Sequence, residues 1–243
     1  MNTLPALPNL PLALSFDLDD TLWPNLPVIL RAEGVLRAWL AAHAPLTAAR
    51  FAVSEMQRLR AEVGAAHPEL ITDLSQLRLL TIRRALVLAG EDPALAELAF
   101  EVFFEARQQV VCYAEVVAAL QRLAGRFPLL ALSNGNADVA RVGLADYFVG
   151  SVSARSAGVA KPDARIFHAA CEALKLAPAQ VMHVGDDWRL DVLGARQAGL
   201  HSAWVRRPDA KAAADAAADP PAPQPGLHLT VPDLLALADA LGC

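Results

Sequence analysis

Hydrophobic positions along the chain follow two periods, one suited to strands and one to helices. Residues 12–16 form a short apolar run that stops abruptly at Asp17, as a buried strand does. From residue 27 to residue 110 the apolar positions instead recur at helical spacing, in four segments with plausible end signals. Beyond Tyr113 short apolar runs return, which indicates further strands. These strands are predicted at residues 128–132, 148–152, 180–184 and 201–205.

Helical patterns separate the later strands. They are predicted at residues 115–125, from about 138, at 163–175, at 188–198 and, after a last short strand, at 232–241. Such alternation implies a parallel sheet with right-handed crossovers. We therefore predict an α/β fold with a doubly wound, Rossmann-like parallel sheet as its core. Residues 1–26 and 111–243 form this discontinuous core, and residues 27–110 form an inserted helical-bundle cap. The Ala/Asp/Pro-rich residues 210–226 predict a flexible surface excursion.

The helical segments of the predicted cap have recognisable boundaries. The second begins near Thr47, and the third begins near Asp73 and ends at Gly90. Asp92 and Pro93 are predicted to be the N-cap and the first helical residue of the fourth. The predicted core face of that fourth helix consists of Leu95, Leu98, Val102 and Phe103.

Composition and charge exclude several other classes of protein. Of the 243 residues, 55% are hydrophobic and 19% are charged, which suits a chain that buries a substantial core. A net charge of -5 without a Lys/Arg stripe argues against a nucleic-acid partner. Three scattered cysteines are too few for a disulfide framework or a short-spaced zinc site. The first residues are broken by prolines and lack a basic start, so we expect a cytoplasmic protein without a membrane partner.

The first candidate for chemistry is the segment DLDDT, which begins at Asp17. On an extended chain Asp17, Asp19 and Thr21 would point the same way, beyond the end of the first strand. Crowded carboxylates repel each other and take up protons, whereas Mg²⁺ keeps them ionised and commonly bridges them to a substrate phosphate. A solvated turn with a helix N-cap explains an isolated DLDDT at least equally well.

Three further polar segments decide between these interpretations. They are Ser133-Asn134-Gly135 and Gly185-Asp186-Asp187, each at the end of a predicted strand, and Lys161-Pro162 after an irregular stretch. Because ligands bind at the carboxyl ends of the strands in an open α/β sheet, all of these segments should meet in one crevice. Alone, Ser133 would be interpreted as a helix cap and Lys161 as a solvated surface side chain. Together they favour a site for a metal ion and a phosphate.

The acidic residues near Asp186 require separate interpretations. We assign contact with the metal to Asp186, alongside Asp17 and Asp19. Asp187 and Asp191 are expected to support these ligands, although a plain N-cap and a solvated helix position are alternatives. His183 is interpreted as a packed core histidine that the alternation of the strand turns away from the cluster.

Four segments resemble, in order, the motifs of the haloacid dehalogenase superfamily. They read FDLDDTLW, LSNGN, AKPDARIF and HVGDDWRLDVLGARQAG. The likeness covers most of the core, and the long stretch between Asp17 and Ser133 leaves room for the helical cap of that superfamily's first cap class. Hinges between cap and core are expected at residues 23–26 and 109–113.

This resemblance implies a role for each matching residue. Asp17 would attack phosphorus, and Asp19 would protonate the leaving oxygen and later accept a proton from water. Lys161 would assist catalysis by holding the phosphoryl group. The implied substrate-binding residues are Thr21, Ser133, Asn134 and Lys161, and the implied ligands of Mg²⁺ are Asp17, Asp19 and Asp186.

A narrower likeness points to a substrate class. The segments LPVILRAE, HPEL, LSNGNAD and HVGDDWRLDV are similar to bacterial flavin mononucleotide phosphatases. Those enzymes also dephosphorylate 5-amino-6-(5-phosphoribitylamino)uracil in riboflavin synthesis. The resemblance therefore implies a small phosphorylated metabolite as the substrate.

Several competing functions fit parts of the pattern. A phosphatase for phosphoglycolate, a sugar phosphate or a nucleotide would use the same residues, as would a phosphomutase. A 2-haloacid dehalogenase needs no proton donor for a halide, and that branch of the superfamily lacks the second carboxylate, so Asp19 argues against it. A phospho-receiver module resembles half of this length, and a catalytically inactive scaffold need not keep every charged group.

Overall fold

The sheet of this computed structural model is entirely parallel and has six strands. The structure describes residues 10–207 and 227–243, so the excursion predicted at 210–226 lies outside the described residues. The strands are β1 (Ala13–Phe16), β2 (Leu129–Ser133), β3 (Gly150–Ser153), β4 (Val181–Gly185), β5 (His201–Val205) and β6 (His228–Val231). Their order across the sheet is β3-β2-β1-β4-β5-β6, which confirms the predicted doubly wound α/β class.

Burial explains why the inner strands appear as continuous apolar runs. Every residue of β1, β2, β4 and β5 is buried, because both faces of a parallel sheet are covered by other elements. The two edge strands, β3 and β6, are only partly buried. On one face Phe167 and Ile166 pack with Leu130, Leu132 and Val181 of the sheet. The inner strands therefore lie in the core of the fold.

The chain divides into two compact units. One unit joins the residues up to Pro24 with Val111–Cys243, and the other is Asn25–Val110. The second unit consists of α1 (Asn25–His43), α2 (Pro45–Arg50), α3 (Val53–Ala66), α4 (Leu74–Ala89) and α5 (Leu95–Gln108). Inside it, α1 and α4 both pack against α5, around a core that includes Leu36, Leu86 and Phe103. We refer to this unit as the helical unit and to the other as the sheet unit.

The helical unit has one more α-helix than the sequence predicts, and a short 3₁₀ helix at Pro68–Thr72. The segment predicted to begin near Thr47 is divided into α2 and α3, because the carboxylate of Glu91 accepts hydrogen bonds from the backbone N–H groups of Leu46 and Thr47 and so caps a short separate helix. The predicted boundaries of α4 are confirmed. The Asp73 side chain caps its first turn, and Gly90 ends it with a positive φ of 77°.

The last helix of the unit differs from the prediction at its start and on its buried face. Asp92 accepts a hydrogen bond from the backbone of Ala94, so this turn precedes the helix, which begins at Leu95. Leu98, predicted in the core, is 60% exposed. Its place is taken by Ala96 and Ala99, whose small side chains allow a close approach of the neighbouring helix.

The helices of the sheet unit are short. They are α6 (Val116–Ala124), α7 (Ala154–Ala157), α8 (Ala164–Leu174), α9 (Gly194–Gln197) and α10 (Leu234–Ala240). The helix predicted from about 138 is wrong. The Asp138 carboxylate accepts backbone hydrogen bonds from Ala140 and Arg141, and Gly143 has a positive φ, so the chain forms turns there. Among the described residues, no helix is long and apolar enough to cross a bilayer.

Candidate active site

The polar segments predicted from the sequence meet at one edge of the sheet. β1 lies between β2 and β4, and successive crossovers leave it in opposite directions. A crevice forms at such a switch point, outside the carboxyl ends of the strands. Asp17 directly follows β1, Ser133 is the last residue of β2, and Asp186 directly follows β4. The order of the strands thus brings together residues that are far apart in the sequence.

Lys161 lies between two buried carboxylates. Its Nζ donates to Oδ1 of Asp17 at 2.5 Å and to Oδ1 of Asp191 at 2.6 Å, and its side chain is only 3% exposed. Burial lowers the pKa of Lys161, but the two carboxylates outweigh that effect and the pKa is raised above its ordinary value. Lys161 is therefore a fixed positive charge beside Asp17.

Asn134 holds the backbone of Lys161 in place. Its side-chain amide donates to the Lys161 carbonyl at 3.0 Å, and its Oδ1 accepts from the Lys161 N–H at 2.7 Å. Ser133 is buried, and its Oγ accepts a hydrogen bond from the N–H of Gly135. The amide of Asn134, predicted to bind substrate, thus contacts the lysine backbone, while Ser133 faces the same edge of the sheet.

Thr21 links the carboxylates of two segments. Its buried hydroxyl lies 3.3 Å from Oδ2 of Asp17 and 3.1 Å from Oδ1 of Asp186, and it donates to one of them at a time. Burial raises the pKa of Asp17 well above its ordinary value. Lys161 opposes that shift, whereas Asp191 and Asp186 add to it. Burial and the charges of Asp191 and Asp20 raise the pKa of Asp186 to about 7.

Asp191 and His183 form a buried support for Lys161. The ring of His183 is buried, as predicted, but it is not turned away from the cluster, because Nε2 lies 3.1 Å from Oδ1 of Asp191. The carboxylate can only accept, so Nε2 carries the proton and Nδ1 accepts from the Ser15 hydroxyl at 2.9 Å. Although burial raises the pKa of Asp191, Lys161 and His183 outweigh that effect and the pKa is low.

The glycine at the end of β4 allows this support to form. A Cβ atom on Gly185 would overlap the carboxylate of Asp191, so no larger residue fits there without moving it. The backbone N–H of Asp187 donates to Oδ2 of Asp191 at 3.0 Å. The Asp187 side chain itself caps the following turn, by accepting from the N–H groups of Arg189 and Leu190. Of the two interpretations considered for Asp187, the N-cap describes its observed contacts.

Asp19, also predicted to be a metal ligand, is not one of the carboxylates that cluster with Asp17 and Asp186 among the described residues. Its Oδ1 accepts a hydrogen bond from the indole Nε1 of Trp23 at 2.9 Å, and Trp23 is fully buried. The chain after Asp17 is not extended, contrary to the prediction for this segment. Asp20 has a φ of 61°, and its N–H donates to the Trp23 carbonyl, so the segment folds into a compact turn. The indole therefore fixes the Asp19 carboxylate within this turn.

Three carboxylates are arranged as a candidate metal site. Single oxygens of Asp17, Asp186 and Asp191 lie within 4.8 Å of one another, and hard oxygen donors of this kind suit Mg²⁺. Both oxygens of Asp191 already accept hydrogen bonds, from Lys161, His183 and the Asp187 backbone. Asp17 accepts from Lys161 and shares the Thr21 hydroxyl with Asp186, so these two carboxylates are the better candidates for direct contact. Burial, together with the charges of Asp191 and Asp20, raises the pKa of Asp186, and a bound cation would lower it.

We predict a pH-dependent effect of Asp186→Asn on metal-free protein. A carboxyl whose folded-state pKa is raised to about 7 stabilises the fold at low pH, and that contribution is lost as the pH rises from its ordinary value of 3.8 through 7. In chelator, the free energy of unfolding of the variant minus that of the wild type should therefore increase from pH 5 to pH 7.5. Urea unfolding at both pH values measures it, and a constant difference would contradict the assigned shift.

Two residues beside the site had no signal in the sequence. The indole Nε1 of Trp204, in β5, donates to the backbone carbonyl of Asp186 at 2.8 Å and so holds the Asp186 turn. Arg207, two residues beyond β5, donates to the backbone carbonyl of Thr21 at 2.9 Å. Neither belongs to a motif, because each acts on a backbone atom of a distant segment. Only the pairing of β5 with β4 brings them near the site.

The family of the chain follows from comparison with known proteins. The model of the haloacid dehalogenase-like hydrolase family matches residues 12–199, which is well over half of the chain. The protein therefore belongs to the haloacid dehalogenase-like hydrolases, and the resemblance seen in its four motifs is confirmed.

Individual relatives carry names of several activities. The chain is similar to 5-amino-6-(5-phospho-D-ribitylamino)uracil phosphatase YigB of Escherichia coli, with 36% identity over 198 residues, covering 80% of this chain and 83% of that protein. It is 33% identical over 230 residues to a phosphoserine phosphatase of Thermus thermophilus, covering 80% and 88%. Among solved structures, a 2-haloacid dehalogenase from Pseudomonas syringae superposes with a TM-score of 0.83 at 35% identity, covering 94% and 97%.

Proposed function

We propose that this protein is a Mg²⁺-dependent phosphatase that hydrolyses phosphate monoesters of small metabolites through an aspartyl-phosphate on Asp17. The observation that carries the proposal is the buried Asp17 carboxylate, 2.5 Å from Lys161 at the switch point of the sheet, followed two residues later by Asp19. Relatives named as phosphatases support the reaction class.

In the proposed first half-reaction, a carboxylate oxygen of Asp17 attacks phosphorus as the ester bond to the leaving oxygen breaks. Lys161 opposes the effect of burial on the pKa of Asp17 and so favours the ionised carboxylate. It also offers positive charge to the phosphoryl oxygens, which lowers the repulsion between two anions. Asp19 donates a proton to the departing alkoxide. The products of this step are an aspartyl-phosphate and the free alcohol.

In the second half-reaction water attacks the same phosphorus atom. Asp19, now a carboxylate, takes a proton from that water, and the bond between Asp17 and phosphorus breaks. Inorganic phosphate leaves and both carboxyl groups return to their starting states. Asp17 and Asp186 are the residues proposed to hold Mg²⁺. When bound, this ion would supply further positive charge to offset the negative charge of the phosphate.

Asp19 distinguishes this proposal from halide displacement. A halide leaves without a proton, whereas an alkoxide needs one, and here the carboxylate two residues after the nucleophile is fixed by the Trp23 indole. The likeness to a solved 2-haloacid dehalogenase makes that activity the second candidate. Chloride release from 2-chloropropionate, assayed beside phosphate release, separates the two.

We predict that the effect of Asp19→Asn depends on the leaving group. For an alkyl phosphate, kcat should fall by about 10²- to 10⁴-fold, the range of general acid/base assistance. For p-nitrophenyl phosphate the fall should be smaller, because nitrophenolate leaves without a proton. Asp20→Asn is the matched control, since asparagine also tolerates the positive φ of residue 20. It should change both rates by the same factor, and equal losses on the two substrates for Asp19→Asn would remove Asp19 as the proton donor.

For the substrate we propose a ribityl phosphate, as in flavin mononucleotide or the phosphoribitylamino-pyrimidine of riboflavin synthesis, so that the ribityl alcohol is the leaving group. The support is the 36% identity to YigB, together with the four segments that resemble flavin mononucleotide phosphatases. Residues 27–110 are proposed to be a cap that selects this group. A phosphoserine, phosphoglycolate or sugar phosphate substrate is the alternative, because relatives with names of these kinds are also similar to this chain.

A panel of phosphorylated metabolites tests both levels of the proposal. Flavin mononucleotide, phosphoserine, phosphoglycolate, sugar phosphates and nucleotides are assayed for released phosphate, with Mg²⁺, with chelator and after Mg²⁺ is restored. We expect the highest kcat/KM for flavin mononucleotide and no turnover in chelator. No phosphate release from any ester would overturn the phosphatase proposal, and a flat profile would overturn only the ribityl leaving group.

A further inference from the structure

Arg207 connects three segments of the sheet unit. Its guanidinium donates from Nη2 to the backbone carbonyl of Thr21 at 2.9 Å and forms an ion pair from Nη1 to Glu115 at 2.7 Å. The same group lies over the ring of Tyr113, 3.7 Å from its centroid. The Arg207 side chain is only 8% exposed, so these contacts form in a region largely removed from water.

The contact with Thr21 leads directly to the carboxylates of the site. The Thr21 hydroxyl is the group that reaches both Asp17 and Asp186. Its position depends on where the backbone of residue 21 lies, and Arg207 holds the carbonyl of that residue. The contact with Thr21 therefore lets Arg207 influence two carboxylates that it does not touch.

The contacts with Tyr113 and Glu115 connect Arg207 to the segment by which the chain returns to the sheet unit. The chain leaves the sheet unit after Pro24 and returns at Val111. The Tyr113 N–H donates to the Leu22 carbonyl at 3.0 Å, so the departing and returning segments are joined by a backbone bond as well as through Arg207. A planar guanidinium can serve an ion pair, a carbonyl and an aromatic face together, which a lysine ammonium cannot.

We infer that Arg207 is a positioning residue, which fixes the turn carrying Thr21 against the returning segment and thereby sets the spacing of Asp17 and Asp186. This inference rests on the proposed function, since it assigns Arg207 a part in the same reaction. It adds a residue that follows β5 and lies outside all four motifs.

The test uses Arg207→Ala and Arg207→Lys in the full chain, with Arg122→Ala as the matched control. Arg122 also joins an ion pair, to Asp239, with a hydrogen bond to a backbone carbonyl, that of Cys243, but it touches no residue of the site. We expect kcat on p-nitrophenyl phosphate at saturating Mg²⁺ to fall about 100-fold in both Arg207 variants, the scale of a misplacement of about 1 Å. KM should stay within threefold, and Arg122→Ala should keep kcat within twofold.

Metal binding gives a second readout that needs no turnover. The apparent dissociation constant of Mn²⁺, measured by electron paramagnetic resonance, should rise at least tenfold in both Arg207 variants and less than twofold in Arg122→Ala. Arg207→Lys keeps the test available if Arg207→Ala does not fold, as circular dichroism will show. Values of kcat and Mn²⁺ affinity within twofold of the wild type would overturn the inference. An inactive wild type would instead count against the proposed phosphatase, and Mn²⁺ binding would still test Arg207.

Discussion

Asp17→Asn is expected to lower kcat for phosphate-ester hydrolysis by at least about 10⁴-fold, the order of loss that follows removal of a catalytic nucleophile. The amide is close in size to the carboxylate but is not a nucleophile toward phosphorus. The fold should be retained, because Lys161 keeps its contact with Asp191 when Asp17 loses its charge. Steady-state rates with p-nitrophenyl phosphate and flavin mononucleotide, beside melting curves by circular dichroism, measure both effects.

Two controls and a trapping experiment accompany this test. Asp239→Asn makes the same chemical change at a largely exposed carboxylate that pairs with Arg122, and it should leave kcat unchanged. Mass spectrometry of the variant must show asparagine at residue 17, since deamidation would restore the nucleophile. In the wild type, borohydride added during turnover should convert the phosphorylated Asp17 to homoserine. A variant that keeps a tenth of the activity would refute Asp17 as the nucleophile.

Lys161→Met should be both inactive and markedly less stable. Removing one partner of a buried ion pair costs about 3–5 kcal/mol, and here Asp17 and Asp191 would be left facing each other without their shared cation. Without Lys161, the pKa of Asp17, already raised by burial, would rise further, and the pKa of Asp191 would rise from its low value. The protonated form of Asp17 then stabilises the fold at low pH, and this stability is lost as the pH rises. The deficit relative to the wild type should therefore be smaller at pH 5 than at pH 7.5.

Urea unfolding at the two pH values measures this deficit. Lys175→Met is the matched control, because Lys175 is exposed and forms no part of the site. It should change the free energy of unfolding by less than about 0.5 kcal/mol. A deficit for Lys161→Met below about 1 kcal/mol, or one that is the same at both pH values, would show that Lys161 does not neutralise these carboxylates.

The sequence predicted the parts of the site that depend on chain order. Asp17, Ser133 and Asp186 each stand where a buried apolar run ends, and the parallel sheet brings such positions to one edge. The length of the apolar runs was enough to locate β1, β2, β4 and β5 to within about one residue. Lys161 was identified only by its combination with these residues, since an isolated lysine has no such signal.

Contacts between distant side chains could not be predicted in the same way. The approach of His183 to Asp191 depends on how the π-helical turn at Trp188–Leu193 follows β4, and periodicity does not report such a turn. The placement of Asp19 depends on the positive φ of Asp20, which local sequence only permits. In both cases the backbone departs from the ideal helix or strand that hydrophobic periodicity predicts.

Two errors in the predicted secondary structure have a common cause. At residue 138 and at Leu46, carboxylates bind backbone N–H groups and define local turns or short helices that apolar spacing alone does not reveal. Glu91 is distant in sequence from the residues that it caps, so its effect was beyond any local pattern. Leu98 shows a related effect, because alanine neighbours occupied the helix contact that spacing assigned to the larger side chain.

The central position of β1 has a consequence for synthesis on the ribosome. The strand that precedes Asp17 is made before the helical unit, whereas its neighbours β2 and β4 are made only after it. Late pairing of this kind delays folding, because the ends of a long loop must meet first. A nascent chain that stops before Asp186 should bind no Mn²⁺, so metal binding would report that the last central strand has been added.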